Sequence, residues 1–253
     1  MHRNEVIRFV VFAYVIGYIF QTVFYFHPNQ SIWLGFTMWA PTLAVILTGP
    51  NARSSAWNSL KGLDLKLFPL TFVLGVIPYI TIQFLLWLTG FGNIDSTQTI
   101  GHISLVILLQ PIALGVLLTV GEEIGWRGYL QPELEKHFKP VIVYLLVGII
   151  WAYWHLPSNL AGNNGLEHRA LNSFIIFPLL VVALAFVFGW LRSNSKTIWP
   201  CVYLHGVINS VSNCWLIKPN TEMIEKLSVL SAWLILGIIF YLKSQKKENR
   251  IIT

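Results

Sequence analysis

Charge is what this sequence most lacks. Only 11% of its 253 residues are Asp, Glu, Lys or Arg, whereas 55% are hydrophobic. A soluble domain carries about 25% charged residues, so a soluble globular class is excluded. The net charge of +6 does not point to nucleic acid, because the basic residues are scattered between apolar stretches, a pattern that fits membrane orientation. Cysteine is almost absent. Cys201 and Cys214 fall on one predicted helix about 20 Å apart, too far to bond to each other. Several catalytic signatures are missing as well: the HExxH helix of common zinc peptidases, any Gly-rich phosphate loop, and any serine in a GxSxG setting. There is no repeat, low-complexity tract or soluble domain. The first apolar run has no small-residue cleavage site and reads as a first span.

What is present is a series of about eight apolar runs, each near the length of about 20 residues that a membrane helix needs. They fall at about 6–26, 31–49, 68–90, 100–121, 140–157, 172–191, 197–216 and 227–242. The predicted fold is an all-α polytopic bundle forming a single membrane-embedded domain over 1–253. Punctuation such as His27-Pro28-Asn29, Gly49-Pro50-Asn51 and Lys218-Pro219-Asn220 separates the runs. The mixed segment Ser54 to Lys66 is either an interfacial stretch or a plain loop. With eight spans, both termini share a side. Of the 17 Lys and Arg, all but Arg169, Lys218 and Lys226 fall on that side, and the positive-inside rule makes it cytoplasmic. The expected location is the cell membrane.

Three polar groups interrupt this apolar background. Glu122 and Glu123 follow the uncharged run Ile103 to Val120, and ionisable groups within a membrane segment are functional-site candidates by default. Glu123 and Arg127 are i and i+4, share a face and can pair, which leaves Glu122 free for other work. His155 follows in Trp151-Ala152-Tyr153-Trp154-His155-Leu156-Pro157. His205 and Asn209, again i and i+4, present one polar face. Taken singly, each has a plain structural use: a solvated collar for the carboxylates, an aromatic belt for His155, helix-bridging hydrogen bonds for His205 and Asn209. Gly121, Gly125 and Gly128 read as close-packing positions.

A hairpin turn near His137 to Lys139 brings the groups together. Glu122 lies about sixteen residues before it and His155 about sixteen after, so both sit about 24 Å from the turn. The fourth helix must then continue past Glu122 toward Phe138, with Pro132 bending or interrupting it. Together the side chains suit water activation in a partly dry cavity. Glu122 would act as general base, His155 would share its water, and His205 and Asn209 would donate hydrogen bonds to a developing oxyanion. Glu122, His155 and His205 also form a zinc-type ligand set, so a divalent metal such as zinc stays open as cofactor.

The three motifs, Glu122-Glu123-xxx-Arg127, Trp151-xxx-His155 and His205-xxx-Asn209, occur in this order on separate late helices. In this the chain resembles the CAAX protease and bacteriocin-processing (Abi) family of intramembrane endopeptidases, which includes the type II CAAX prenyl endopeptidases. The resemblance covers about 106–215. It implies Glu122 as the base, His155 as its partner on the water, His205 with Asn209 at the oxyanion, and Glu123 and Arg127 in support. Trp151 stands where the family usually has Phe, at what reads as a packing position. The expected partners are the lipid bilayer and a peptide or protein substrate, prenylated or bacteriocin-like, with no nucleic acid. The competing reading is a small polytopic transporter or proton-coupled carrier using the same Glu and His, although no paired broken-helix repeat supports it. A catalytically silent scaffold ranks last.

Overall fold

Proline and glycine set the helix ends. Pro50, Pro140 and Pro200 stand in first turns, where a missing N–H costs nothing. Gly90 and Gly162 close helices in the left-handed region, at φ 73° and 95°. The computed structural model describes residues 3–27, 30, 32–96, 113, 115–162, 168–212 and 214–252. Helices α1 (Arg3–Phe26), α2 (Ile32–Thr48), α3 (Pro50–Asn58) and α4 (Phe68–Thr89) lead to strand β1 (Gly92–Ile94). There follow α5 (115–135), α6 (Pro140–Trp154), α7 (Leu156–Ala161), α8 (Arg169–Ser193), α9 (Trp199–Val211), strand β2 (Ile217–Pro219) and α10 (Glu222–Ile252).

The protein is an all-α integral membrane protein. Among the described residues, four helical stretches are long and apolar enough to cross a bilayer: Asn4–Phe26, Leu65–Thr89, Arg169–Ser193 and Glu222–Gln245. Two more apolar helices, Gly35–Thr48 and Pro140–Trp154, are shorter. Seven of the expected spans coincide with α1, α2, α4, α6, α8, α9 and α10, while most of the fourth, 100–121, lies outside the described residues. The seventh differs from expectation. It ends at Val211 rather than near 216, so α9 is 13 residues long, about 20 Å, against a hydrocarbon core of about 30 Å. Cys214 therefore follows α9 instead of sharing it with Cys201; both are buried free thiols. Ser54 to Lys66 is neither plain loop nor lone interfacial helix. Its first part belongs to α3, and its turn binds the start of α9 through Ile198 N–H to Ser59 O and Trp199 Nε1 to Leu60 O, both 3.0 Å.

The outer surface is apolar. Ile7, Val11, Val15 and Ile19 form an exposed i, i+4 stripe on α1, and Ile77, Ile80, Phe84 and Leu88 form one at mixed i+3 and i+4 spacing on α4. In water such stripes would drive association; facing lipid tails they are solvated. At one end β1 and β2 pair antiparallel, with Asn93 opposite Lys218, and this ribbon ties the end of α4 to the α9–α10 connection.

Helix α5 shows how one sequence defect is absorbed. It continues past Glu122 to Glu135, where a short turn leads to α6, as the hairpin reading requires. Pro132 cannot donate a main-chain hydrogen bond. The helix widens just before it into a π turn, Trp126–Leu130, with Gln131 N–H reaching back to Trp126 O. That pattern would assign the carbonyl of Arg127 to residue 132, which has no N–H to give. Arg192 of α8 supplies the donor instead, Nε to Arg127 O at 2.9 Å. A proline in α5 is thereby converted into a clamp between α5 and α8.

Helix α5 also crosses α2 at unusually close range. A Cβ on Gly125 would stand 2.4 Å from Cβ of Pro41, and one on Gly121 would stand 2.7 Å from the carbonyl oxygen of Met38. The gap closes because glycine has no side chain, and Thr42 Oγ1 then donates to Gly121 O at 2.7 Å. Neither the Pro41 ring nor the α2 backbone can move aside cheaply. Gly125→Ala is expected to destabilise the detergent-solubilised protein by about 1–3 kcal/mol through overpacking, read as a lowered thermal unfolding midpoint. Gly35→Ala, whose new Cβ would meet only Leu118 at 3.6 Å, should leave the midpoint nearly unchanged. Equal midpoints for both variants would contradict the packing argument.

Candidate active site

The site is assembled from α5, α6, α8 and α9. Glu122, Glu123 and Arg127 are all buried within α5. A buried charge is tolerated only with partners, and Glu123 has two. Its Oε1 accepts from Arg127 Nη1 at 3.0 Å and from His205 Nδ1 of α9 at 2.9 Å. The Arg127 guanidinium lies over the rings of Trp151, at 4.2 Å, and Phe188, at 4.5 Å, so cation–π attraction replaces part of its lost hydration. Among the described residues, Glu123 Oε2 and Arg127 Nε and Nη2 have no hydrogen-bond partner.

Glu122 points to a different set of partners. Its Oε2 accepts from the indole of Trp151 at 2.8 Å and, more weakly, from that of Trp126 at 3.4 Å. Trp151 was expected to serve packing alone. The structure corrects this: the residue is a hydrogen-bond donor to the carboxylate expected to act as base.

His155 sits where α6 stops. Pro157 has no N–H for Tyr153 O, and the N–H of Ser158 goes to Gln21 Oε1 at 3.0 Å, leaving Trp154 O open as well. Side chains of α1 make good the deficit, with Tyr18 OH donating to Tyr153 O and Gln21 Nε2 to Trp154 O. The N–H of His155 bonds Ala152 O, and the carbonyl of Trp151 takes the ring Nδ1 of His155 at 2.8 Å. A carbonyl can only accept, so this bond puts the proton on Nδ1 and leaves Nε2 with its lone pair. The same argument puts a proton on Nδ1 of His205, which faces the Glu123 carboxylate.

His155, His205 and Asn209 line one cavity of about 170 Å³, whose walls include Trp151, Phe188 and Trp233. The indole of Trp151 meets the ring of His205 edge to face, centroids 5.6 Å apart, and that of His155 at 6.0 Å. Three of the four residues proposed from sequence as catalytic therefore share a wall. Glu122, expected beside them, touches Trp151 but does not line the cavity. His205, expected with Glu122 at a shared centre, instead bonds Glu123. The reason is the helical rotation: i and i+1 differ by about 100°, so α9 can meet only one of two adjacent carboxylates, and the face already carrying Arg127 is the one it meets. The metal set suggested by the side-chain types, Glu122, His155 and His205, is not gathered. Among the described residues no three His, Cys, Asp or Glu side chains are grouped to hold an ion.

Fold and site together define a multi-pass helical membrane protein whose carboxylate–imidazole centre is sunk within its bundle. Residues 104–211 match the family model described as "Type II CAAX prenyl endopeptidase Rce1-like", a stretch that contains Glu122, Glu123, Arg127, His155, His205 and Asn209. "CAAX prenyl protease 2" of Methanococcus maripaludis is 29% identical to the chain over 173 residues, covering 66% of this chain and 63% of that relative. Over these residues the chain is similar to the CAAX protease family. Its match spans a little under two thirds of the curated relative's length.

The Glu123–Arg127 pair supports the fold before any chemistry. Removing one partner of a buried pair strands the other charge and costs about 3–5 kcal/mol. Arg127→Ala should accordingly give little folded protein, measured as monodisperse yield after detergent extraction. Arg127→Lys keeps the charge but not the planar stacking on Trp151 and Phe188 and should recover only part. Normal yield from Arg127→Ala would leave the pair without a structural role.

Proposed function

We propose that the chain is an intramembrane endopeptidase that cleaves a peptide bond near the C-terminus of a membrane-associated, CAAX-type protein. The observation that carries this reading is the cavity lined by His155, His205 and Asn209, backed by the Glu122–Glu123 helix within the stretch that matches the CAAX endopeptidase model. The relative's name, CAAX prenyl protease 2, supports the substrate class. By the positive-inside rule the Lys- and Arg-rich end, with both termini, faces the cytoplasm, and the location is the cell membrane.

In this mechanism Glu122 is the general base. Both indoles converge on Oε2, which leaves Oε1 outside those hydrogen bonds to take a proton from water. His155 Nε2, with its lone pair free, accepts the other hydrogen of the same water and orients it. The water oxygen adds to the scissile carbonyl carbon, and the charge that develops on the carbonyl oxygen receives hydrogen bonds from His205 Nε2–H and the Asn209 amide. Donation from Nε2 while Nδ1 serves Glu123 requires a hydrogen on both ring nitrogens. Collapse of the tetrahedral intermediate breaks the C–N bond, and the proton held by Glu122 passes to the leaving amine. No step is routed through a metal.

The test is hydrolysis of a prenylated CAAX peptide by the purified protein. Glu122→Gln should lower kcat by at least about 10²–10⁴-fold with folding intact, and Asn209→Ala by about 10²–10³-fold. Chelation should leave the rate unchanged. Chelator-sensitive activity restored by zinc would overturn the metal-free mechanism, and undiminished turnover by Glu122→Gln would overturn the peptidase assignment of this site.

A further inference from the structure

We infer that Trp151 is a positioning residue for Glu122, acting through its indole N–H to hold the carboxylate in the orientation the reaction needs. The inference rests on the reading of Glu122 as the base. It adds a requirement that the motif spacing does not contain, since a phenylalanine at 151 would make the same ring contacts and no hydrogen bond.

A Glu side chain has three rotatable bonds and, once buried, needs something to choose its rotamer. Glu123, next in sequence, is held by two cations or potential cations, Arg127 and His205. Among the described residues the donors to Glu122 are two indoles, and they are unequal. The Trp151 bond is 2.8 Å and the Trp126 bond 3.4 Å, the first at the favourable end of the range for a charge-assisted N–H···O and the second beyond it. Both end on Oε2. The Trp151 bond therefore decides which oxygen is bound to protein and which faces incoming water.

Trp151 itself has little freedom. It is 4% exposed, the Arg127 guanidinium covers its face, and its rim meets the rings of His205 and Phe188. Its carbonyl is the acceptor that fixes the tautomer of His155. One residue, locked by its own packing, thus sets the orientation of the base through its side chain and the protonation pattern of the water-binding imidazole through its main chain. Supporting contacts of this kind keep a site within productive tolerance. Because Trp151 also lines the cavity and Glu122 does not, the indole is the element through which the carboxylate is registered against the rest of the site.

The decisive variant replaces Trp151 with 3-benzothienylalanine, which keeps the bicyclic shape and substitutes sulfur for the N–H. Trp151→Phe and Trp126→Phe are measured beside it. The isostere and Trp151→Phe should each lower kcat roughly 10- to 100-fold, the range for loss of a hydrogen bond to a charged group, with KM for the prenylated peptide held within about twofold. The unfolding midpoint of the isostere should stay at the wild-type value. Trp126→Phe removes the long bond and an equally buried ring, so its midpoint should fall at least as far as that of Trp151→Phe while its kcat falls less. A purely structural role for Trp151 predicts the reverse: a wild-type kcat in the isostere and a loss in Trp151→Phe that follows the midpoint. Full kcat in the isostere, with Glu122→Gln inactive, would overturn this inference and leave the peptidase reading standing. Full activity in Glu122→Gln would remove both.

Discussion

The structure depends on the placement of two adjacent carboxylates inside an apolar bundle. Each buried charge carries a desolvation penalty of several kcal/mol that only close partners offset. Glu123 meets that requirement along its own helix with Arg127 and across the bundle with His205. The second contact holds α9 against α5, and α9 is too short to be fixed by spanning the membrane. Arg127 in turn needs the faces of Trp151 and Phe188, which locates α6 and α8. The positions of four helices around the cavity therefore follow from the demands of a single ion pair.

Helix defects supply the remaining geometry. In hydrocarbon no water is available to satisfy a freed carbonyl, so every interruption must be answered by protein. Pro132 frees Arg127 O, and Arg192 answers it. Pro157 ends the hydrogen-bond ladder of α6, and Tyr18 and Gln21 answer for Tyr153 and Trp154. The imidazole of His155 answers for Trp151, and its tautomer follows. The π turn at Trp126–Leu130 ends one residue short of Pro132 and begins three residues after Glu123. π turns of this kind often occur at functional sites because they reorient side chains without breaking the helix. The chemistry of the site and the repair of its helices thus use the same residues.

The sequence by itself determined the membrane class, the positions of most helices and the candidate residues. Those are consequences of local composition: apolar runs of bilayer length, a shortage of charge, and ionisable groups too expensive to place in a membrane without use. The i, i+4 spacing of Glu123 and Arg127 made their pairing legible, because a helix alone brings them together. The turn between α5 and α6 was legible for the same reason, from counting residues on either side of His137 to Lys139.

What the sequence could not decide was which carboxylate α9 would meet, where α9 would stop, and what Trp151 would do. A rotation of about 100° separates Glu122 from Glu123, and only the docking of α9 chooses between them. Trp151 is indistinguishable from a packing aromatic until its indole nitrogen is found 2.8 Å from Glu122. Contacts between residues 29 or 82 positions apart leave no local periodicity to read, because they are set by the angle and depth at which whole helices pack. The tertiary structure alone therefore decided the partners of each carboxylate, while the chain's local chemistry had already decided that both would need them.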